Sequence, residues 1–101
     1  MIEANNKITL SGESALEALA ELEFILISLH KIGSYYADKS TDKYQRATTK
    51  FIDDKHVAQR LAKVRKILSD PFDSSFGDDD MDDIERYVNQ LAFWKPPQGA
   101  D

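Results

Sequence analysis

The sequence contains no cysteine, and among its 101 residues it has only one tryptophan, three prolines and four glycines. The absence of cysteine excludes disulfide bonds, thiolate catalysis, iron–sulfur clusters and cysteine-rich zinc sites. Because prolines and glycines are few, long stretches remain for uninterrupted helices. A chain of this length can build one hydrophobic core and is too short for two.

The sequence also lacks a hydrophobic run long enough to cross a membrane. Its most apolar window, residues 22–32, is interrupted by Glu23, His30 and Lys31, and a membrane span needs about 20 apolar residues. Residues 1–7 lack the basic-then-apolar order of a secretory signal. The net charge of −5 disfavours binding to nucleic acid and to anionic lipid. We therefore expect a cytoplasmic protein that contacts neither a membrane nor nucleic acid directly.

Helical periodicity dominates the first two thirds of the chain. Ser14 and Glu17 have the spacing of a capping box, and apolar residues then recur every three or four positions through residues 16–32. This stripe is wider than one helical face requires, so it predicts a central helix that is covered on most sides. Residues 40–42 offer the cap of a second helix, and Asp53 offers the cap of a third helix that stops at Pro71.

A fourth helix is predicted after the loop at residues 72–77, with Asp78, Asp79 and Asp80 at its N-terminal end. The sequence thus predicts an all-α protein, a single compact bundle of about four helices. We divide it into a lead-in segment 1–13, one domain 14–97 and a frayed tail 98–101. The predicted shared core consists of Leu19, Leu22, Leu26, Leu29, Val57, Leu61, Val64, Leu68, Ile84, Val88 and Leu91.

Charge is segregated along the chain. Residues 43–66 contain eight basic and two acidic residues, whereas residues 70–85 contain eight acidic residues and no basic one. One explanation is that a basic helix packs beside an acidic helix start. Stabilisation of a helix dipole needs only one or two acids, so the excess also indicates an acidic surface that receives a basic partner.

The candidate partner-binding residues follow from this acidic segment. Aromatic side chains near helix ends provide contact area at low entropic cost, so tyrosines and a phenylalanine are included as possible anchors. Trp94, by contrast, is predicted to cover the core beside the last helix. The predicted partner-binding residues are Asp73, Asp78, Asp79, Asp80, Asp82, Asp83, Glu85, Tyr35, Tyr36 and Phe76.

The acidic segment does not match known metal-binding or catalytic patterns. An EF-hand loop that starts at Asp78 would need glycine where Asp83 stands and glutamate where Asn89 stands. The all-α nucleotide pyrophosphohydrolases of the MazG family use a four-carboxylate set, of which only the pair Asp80 and Asp83 has a counterpart here. His30 and His56 have no arrangement that indicates a relay. We expect no catalytic residue, no metal and no cofactor.

The last half of the chain contains a set of short segments at residues 51–54, 61–68, 72–73, 77–86 and 94–96. On these segments the chain resembles the small bacterial immunity proteins of contact-dependent growth inhibition and related polymorphic toxin systems. The resemblance implies a cytoplasmic antidote that binds one cognate toxin domain, often a nuclease, and blocks its active site. It assigns no site residues by motif. A non-catalytic adaptor or regulatory protein is the alternative, and a MazG-like enzyme is the third.

Overall fold

The regular structure is entirely helical. The structure, a computed structural model, describes residues 1–99, so the end of the predicted frayed tail, Ala100 and Asp101, lies outside the described residues. No strand occurs within this part of the chain, which confirms the all-α prediction. A 3₁₀ turn at Glu3–Asn5 precedes four helices: α1 (Gly12–Tyr35), α2 (Thr41–Asp54), α3 (Val57–Ser69) and α4 (Asp83–Val88).

The chain forms two compact units, which we name by their content. The helical unit, Thr9–Pro71, contains α1, α2 and α3, and these three helices pack against one another. The terminal unit combines Met1–Ile8 with the residues from Phe72 onward and contains α4. Residues 1–8, assigned from the sequence to a lead-in segment, are therefore part of the terminal unit. None of the four helices is both long and apolar enough to span a membrane.

Helix boundaries in the helical unit depend on caps that the sequence only partly revealed. The α1 cap is Ser11, whose side chain accepts a hydrogen bond from the Ser14 amide at 3.0 Å, so the prediction of Ser14 as the cap was wrong. Ser40 caps α2 in the same way, as predicted, by accepting from the Lys43 amide. The predicted cap Asp53 lies inside α2, and the chain turns into α3 at His56, which has a left-handed backbone (φ 53°).

Charged and aromatic side chains join the three helices at one edge of the contact between α1 and α3. Arg60 on α3 donates to Glu21 on α1 at 3.0 Å, and its guanidinium lies 4.3 Å from the centroid of the Phe24 ring. The Phe24 ring in turn packs against Phe51 of α2 at 5.8 Å between centroids. A second ion pair, Lys63 with Glu17, extends this edge by one helical turn. These contacts hold α2 and α3 on one side of α1.

The buried apolar core is smaller than predicted. Among residues 1–99 the buried apolar residues are Ala18, Ile25, Val57 and Val64, and all four lie in the helical unit. The prediction that α1 is covered on most sides was wrong, because α2 and α3 cover one face and leave the opposite face open. Six residues assigned to the core are 42–59% exposed: Leu19, Leu26, Leu61, Leu68, Val88 and Leu91.

The fourth helix is short and begins later than predicted. Asp82, rather than a residue at positions 78–80, caps α4 by accepting from the Glu85 amide at 2.8 Å. The helix ends at Val88, so Leu91 and Trp94 lie outside it. Helix α4 has only six residues. A helix this short offers too little apolar surface to contribute its predicted part of the shared core.

Candidate partner-binding site

The acidic segment of the terminal unit is shaped by a tight turn before α4. The Gly77 amide donates to the Met81 carbonyl at 2.9 Å, and the Asp80 amide donates back to the Gly77 carbonyl at 3.2 Å. Asp80 has a left-handed backbone (φ 59°), a conformation that aspartate tolerates better than most residues. A side chain at Gly77 would approach a terminal nitrogen of Arg86 to 2.6 Å, so this glycine leaves room for the arginine.

Arg86 organises the turn by binding two of the candidate acids. Its Nε and one terminal nitrogen donate to the two carboxylate oxygens of Asp79 at 2.6 and 2.8 Å. Its other terminal nitrogen donates to Asp83 at 2.5 Å, and a further bond reaches the Met81 carbonyl at 3.0 Å. The hydrogen bonds from Arg86 hold the pKa of Asp79 well below its ordinary value, and those to Asp79 and Asp83 raise the pKa of Arg86.

Asp83 is the centre of a buried polar cluster that ties the two ends of the chain into the terminal unit. Its carboxylate accepts from the Asn5 side chain at 2.8 Å and from the Ile2 amide at 3.0 Å. The Asn5 amide group also donates to the Asp73 carbonyl at 3.0 Å and accepts from the Asp73 amide at 2.8 Å. Asn5 and Asp83 are 4% and 6% exposed. The bond from Asn5, followed by the bond from Arg86, keeps the pKa of Asp83 below its ordinary value.

Five of the eight acids in residues 70–85 have partners within the structure. Besides Asp79 and Asp83, Asp82 caps α4, Asp73 accepts from the Ser75 amide at 2.8 Å, and Asp70 pairs with Lys66 in the helical unit. The bond to Ser75 lowers the pKa of Asp73. Most of the acidic excess therefore has a structural explanation that the sequence did not reveal, because Arg86 lies just beyond the base-free segment.

Three exposed acids remain without such partners. Within residues 1–99, the side chains of Asp78, Asp80 and Glu85 make no hydrogen bond or ion pair. All three lie on the turn before α4 or in its first turn. Their charges are thus available to a partner, whereas charge reversal at Asp79 or Asp83 would break the turn itself.

Exposed aromatic residues accompany these acids in the terminal unit. Phe76, a predicted anchor, is 65% exposed. Trp94 is 82% exposed, so the prediction that it covers the core was wrong. Tyr87 and Phe93 are also exposed, and neither was a candidate. For Phe93 the signal was the absence of helical spacing after residue 88, which leaves apolar residues without a face to share, whereas Tyr87 lies within α4.

The tyrosine candidates belong to the helical unit, at the end of α1. Tyr35 is exposed and Tyr36 half-buried, and their rings meet edge to face at 4.8 Å between centroids. The Lys39 ammonium lies 4.1 Å from the Tyr35 ring centroid and donates to the Tyr35 carbonyl at 2.8 Å. Their part in binding a partner stays a prediction.

Among residues 1–99 no group of three or more histidine or acidic side chains is arranged to hold a metal ion. Comparisons of the chain with protein-family models, with curated protein sequences and with solved structures found no match.

The ion pairs of Arg86 with Asp79 and Asp83 should make the stability of the protein sensitive to acid. Asp79 and Asp83 have folded-state pKa values below the ordinary 3.8, so the unfolded chain binds protons first as the pH falls. Their contribution to stability is complete above about pH 5 and is lost as the pH falls from there toward the folded-state values. We expect the melting temperature to fall between pH 5 and pH 3.

The matched control is a neighbouring acid without a partner. Asp79→Asn should lower the melting temperature at pH 7 and flatten its dependence on pH, because one of the two carboxylates that pair with Arg86 is gone. Asp78→Asn should leave both unchanged. Equal pH profiles for wild type and Asp79→Asn would show that the pairing with Arg86 contributes nothing to stability.

Proposed function

We propose that this chain is an immunity protein that binds and neutralises a cognate bacterial toxin domain in the cytoplasm. The observation that carries the proposal is the group of exposed acids without internal partners, Asp78, Asp80 and Glu85, beside exposed aromatic side chains in one unit. The sequence resemblance to immunity proteins of contact-dependent growth inhibition supports the same function. The protein acts by binding alone, without catalysis, a metal or a cofactor.

Electrostatics explains why such a surface suits an antidote. A nuclease toxin carries a basic cleft for its phosphate substrate, and a group of carboxylates can occupy that cleft in place of phosphates. Complementary charge raises association rates by about 10–1,000-fold over uncharged surfaces, and an antidote must bind before its toxin acts. Carboxylates that lie close together repel one another. A basic partner that neutralises them also relieves this repulsion.

The acids that pair with Arg86 support this role indirectly by fixing the turn that presents the unpaired ones. Asp79 and Asp83 are held by Arg86, and Asp83 is held again by Asn5. A rigid turn loses little conformational entropy on binding. Exposed aromatic residues such as Phe76 and Trp94 would then supply the apolar contact area that most protein interfaces have near their centre.

The test asks whether a toxin domain is encoded directly upstream of this protein, and assays that purified domain for its activity with and without the chain. We expect stoichiometric inhibition and a stable complex. A variant carrying Asp78→Lys, Asp80→Asn and Glu85→Gln changes the surface by four charge units while keeping a residue suited to the left-handed backbone at position 80. This variant should bind at least about tenfold more weakly, because several charge pairs are lost together.

The control reverses exposed basic residues of the helical unit instead. Lys55→Glu with Arg65→Glu alters the charge by a similar amount and should inhibit as well as the wild type. Loss of inhibition in the Lys55/Arg65 variant, with full inhibition by the variant at positions 78, 80 and 85, would move the binding surface to the basic face. A toxin domain that stays active in the presence of excess wild-type protein would exclude the proposed function.

A further inference from the structure

The outer face of α1 is an apolar surface that nothing in the helical unit covers. Leu16, Leu19, Leu26 and Ile27 are between 48% and 68% exposed. Because successive helix residues turn by about 100°, these four residues lie on one side of α1, opposite the buried Ala18 and Ile25. Helix α1 is therefore apolar on two opposite faces, and a soluble helix of that kind normally has both faces packed.

Two polar residues interrupt this apolar face. Glu23 and His30 are exposed and lie on the same side of the helix as Leu26 and Ile27. They are seven residues apart, so they stand at nearly the same angle, two turns from each other. Leu26 and Ile27 lie midway between them. We define the α1 stripe as Leu16, Leu19, Glu23, Leu26, Ile27 and His30.

The central part of the α1 stripe, from Glu23 to His30, is complementary to itself when it is turned end to end, whereas Leu19 and Leu16 then lie level with Ser34 and with the end of α1 in the second copy. An antiparallel copy centred between positions 26 and 27 places each Glu23 opposite His30 of the second copy and each Leu26 opposite Ile27 of the second copy. A parallel copy would place Glu23 against Glu23, which is repulsive. The imidazole can donate a hydrogen bond to the carboxylate in either protonation state, and the two-fold symmetry makes each contact occur twice.

We propose that the α1 stripe is the interface for a second copy of this chain, packed antiparallel across a two-fold axis between Leu26 and Ile27. The stripe is about 21 Å long from Leu16 to His30 at 1.5 Å per residue, and it comes from one helix. A stable dimer usually buries about 800 Å² on each partner, and a single helix pair provides less. The dimer is therefore weak, with a dissociation constant in the micromolar range.

The first experiment measures the molar mass of the full chain by sedimentation equilibrium from about 1 to 300 µM, a range that spans micromolar dissociation constants. The wild type should pass from monomer to dimer, and Leu26→Glu should stay monomeric throughout. The control is Leu91→Glu, because Leu91 in the terminal unit is 58% exposed and Leu26 is 59% exposed. This control should dimerise like the wild type. A wild type that is monomeric at every concentration, or a Leu26→Glu variant that dimerises normally, overturns the proposal.

Charge exchange tests the antiparallel orientation. Glu23→Lys and His30→Glu should each weaken the dimer several-fold, because the first removes the carboxylate that accepts from His30 and the second places two carboxylates opposite each other. The double variant places an ammonium opposite a carboxylate at each of the two contacts and should regain most of the wild-type affinity. A double variant that dimerises no better than the weaker single variant contradicts the proposed pairing.

The absence of cysteine permits a direct test of the register. In the proposed dimer the two copies of residue 27 face each other near the axis, within the Cα separation of about 4.4–6.8 Å that a disulfide needs. Ile27→Cys should therefore form a cross-linked dimer on oxidation. The two copies of residue 16 are about 30 Å apart in this register, so Leu16→Cys should stay uncross-linked. The reverse result overturns the register and the proposal with it.

Discussion

Replacing Asn5 with alanine is expected to destabilise the terminal unit severely. The Asn5 side chain bonds to both the amide and the carbonyl of Asp73 and to the Asp83 carboxylate. Alanine leaves the part-buried amide and carbonyl of Asp73 and the buried Asp83 carboxylate without this partner, at about 1–3 kcal/mol for each buried polar group left unsatisfied. A loss of about 3 kcal/mol or more in the free energy of unfolding is a large share of the 5–15 kcal/mol typical of a small protein.

Amide hydrogen exchange is the measurement that locates this effect. We expect the amides of α4 to lose their protection in Asn5→Ala, because Asp83 begins that helix and is held by Asn5. The matched control is Asn6→Ala, since Asn6 is exposed and its side chain makes no hydrogen bond in the described part of the chain. If Asn5→Ala and Asn6→Ala exchange alike, Asn5 does not connect the two ends of the chain.

The second large effect distinguishes two neighbouring residues of α1. Ile25→Ala should lower the free energy of unfolding by about 2–5 kcal/mol, because Ile25 is 6% exposed and its loss leaves a cavity among α1, α2 and α3. Leu26→Ala should cost less than about 1 kcal/mol, because Leu26 is mostly in contact with solvent. Both values are to be measured by urea unfolding at about 1 µM protein, where a weak dimer is dissociated.

Each of these two variants is the control for the other, because the same helix carries both. From the sequence alone, Leu26 would be expected to cost the larger amount, since it belongs to the leucine repeat of residues 16–29. A larger loss of stability for Leu26→Ala than for Ile25→Ala at this concentration would mean that the exposed face of α1 is covered within the monomer. That result would contradict both the observed core and the proposed dimer.

The helices of the helical unit were predictable because local signals coincide there. Ser40 supplies the α2 cap, Pro71 stops α3, and apolar residues recur at helical spacing from Val57 to Leu68. The burial of these helices was not predictable in the same way. Periodicity shows that α1 has more than one apolar face, but it cannot show which face has a partner in the chain.

The terminal unit was predicted poorly because its order depends on contacts distant in sequence. Asn5 and Asp83 are 78 positions apart, and no local pattern marks an asparagine in a polar segment as buried. Arg86 was visible in the sequence, yet its bidentate bond to Asp79 depends on a turn that Gly77 and the left-handed Asp80 create. The acidic excess was a correct observation, whereas the number of acids available to a partner could be read only from these contacts.

The association rate constant between the chain and the toxin domain that the proposed function requires, measured by stopped flow at increasing salt, tests the proposed binding surface most directly. If Asp78, Asp80 and Glu85 meet a basic cleft, the rate constant should fall steeply with salt. The variant with Asp78→Lys, Asp80→Asn and Glu85→Gln should then associate at least about tenfold more slowly at low salt, with a shallower dependence on salt. Equal rates and equal salt dependence for the wild type and this variant would contradict the account.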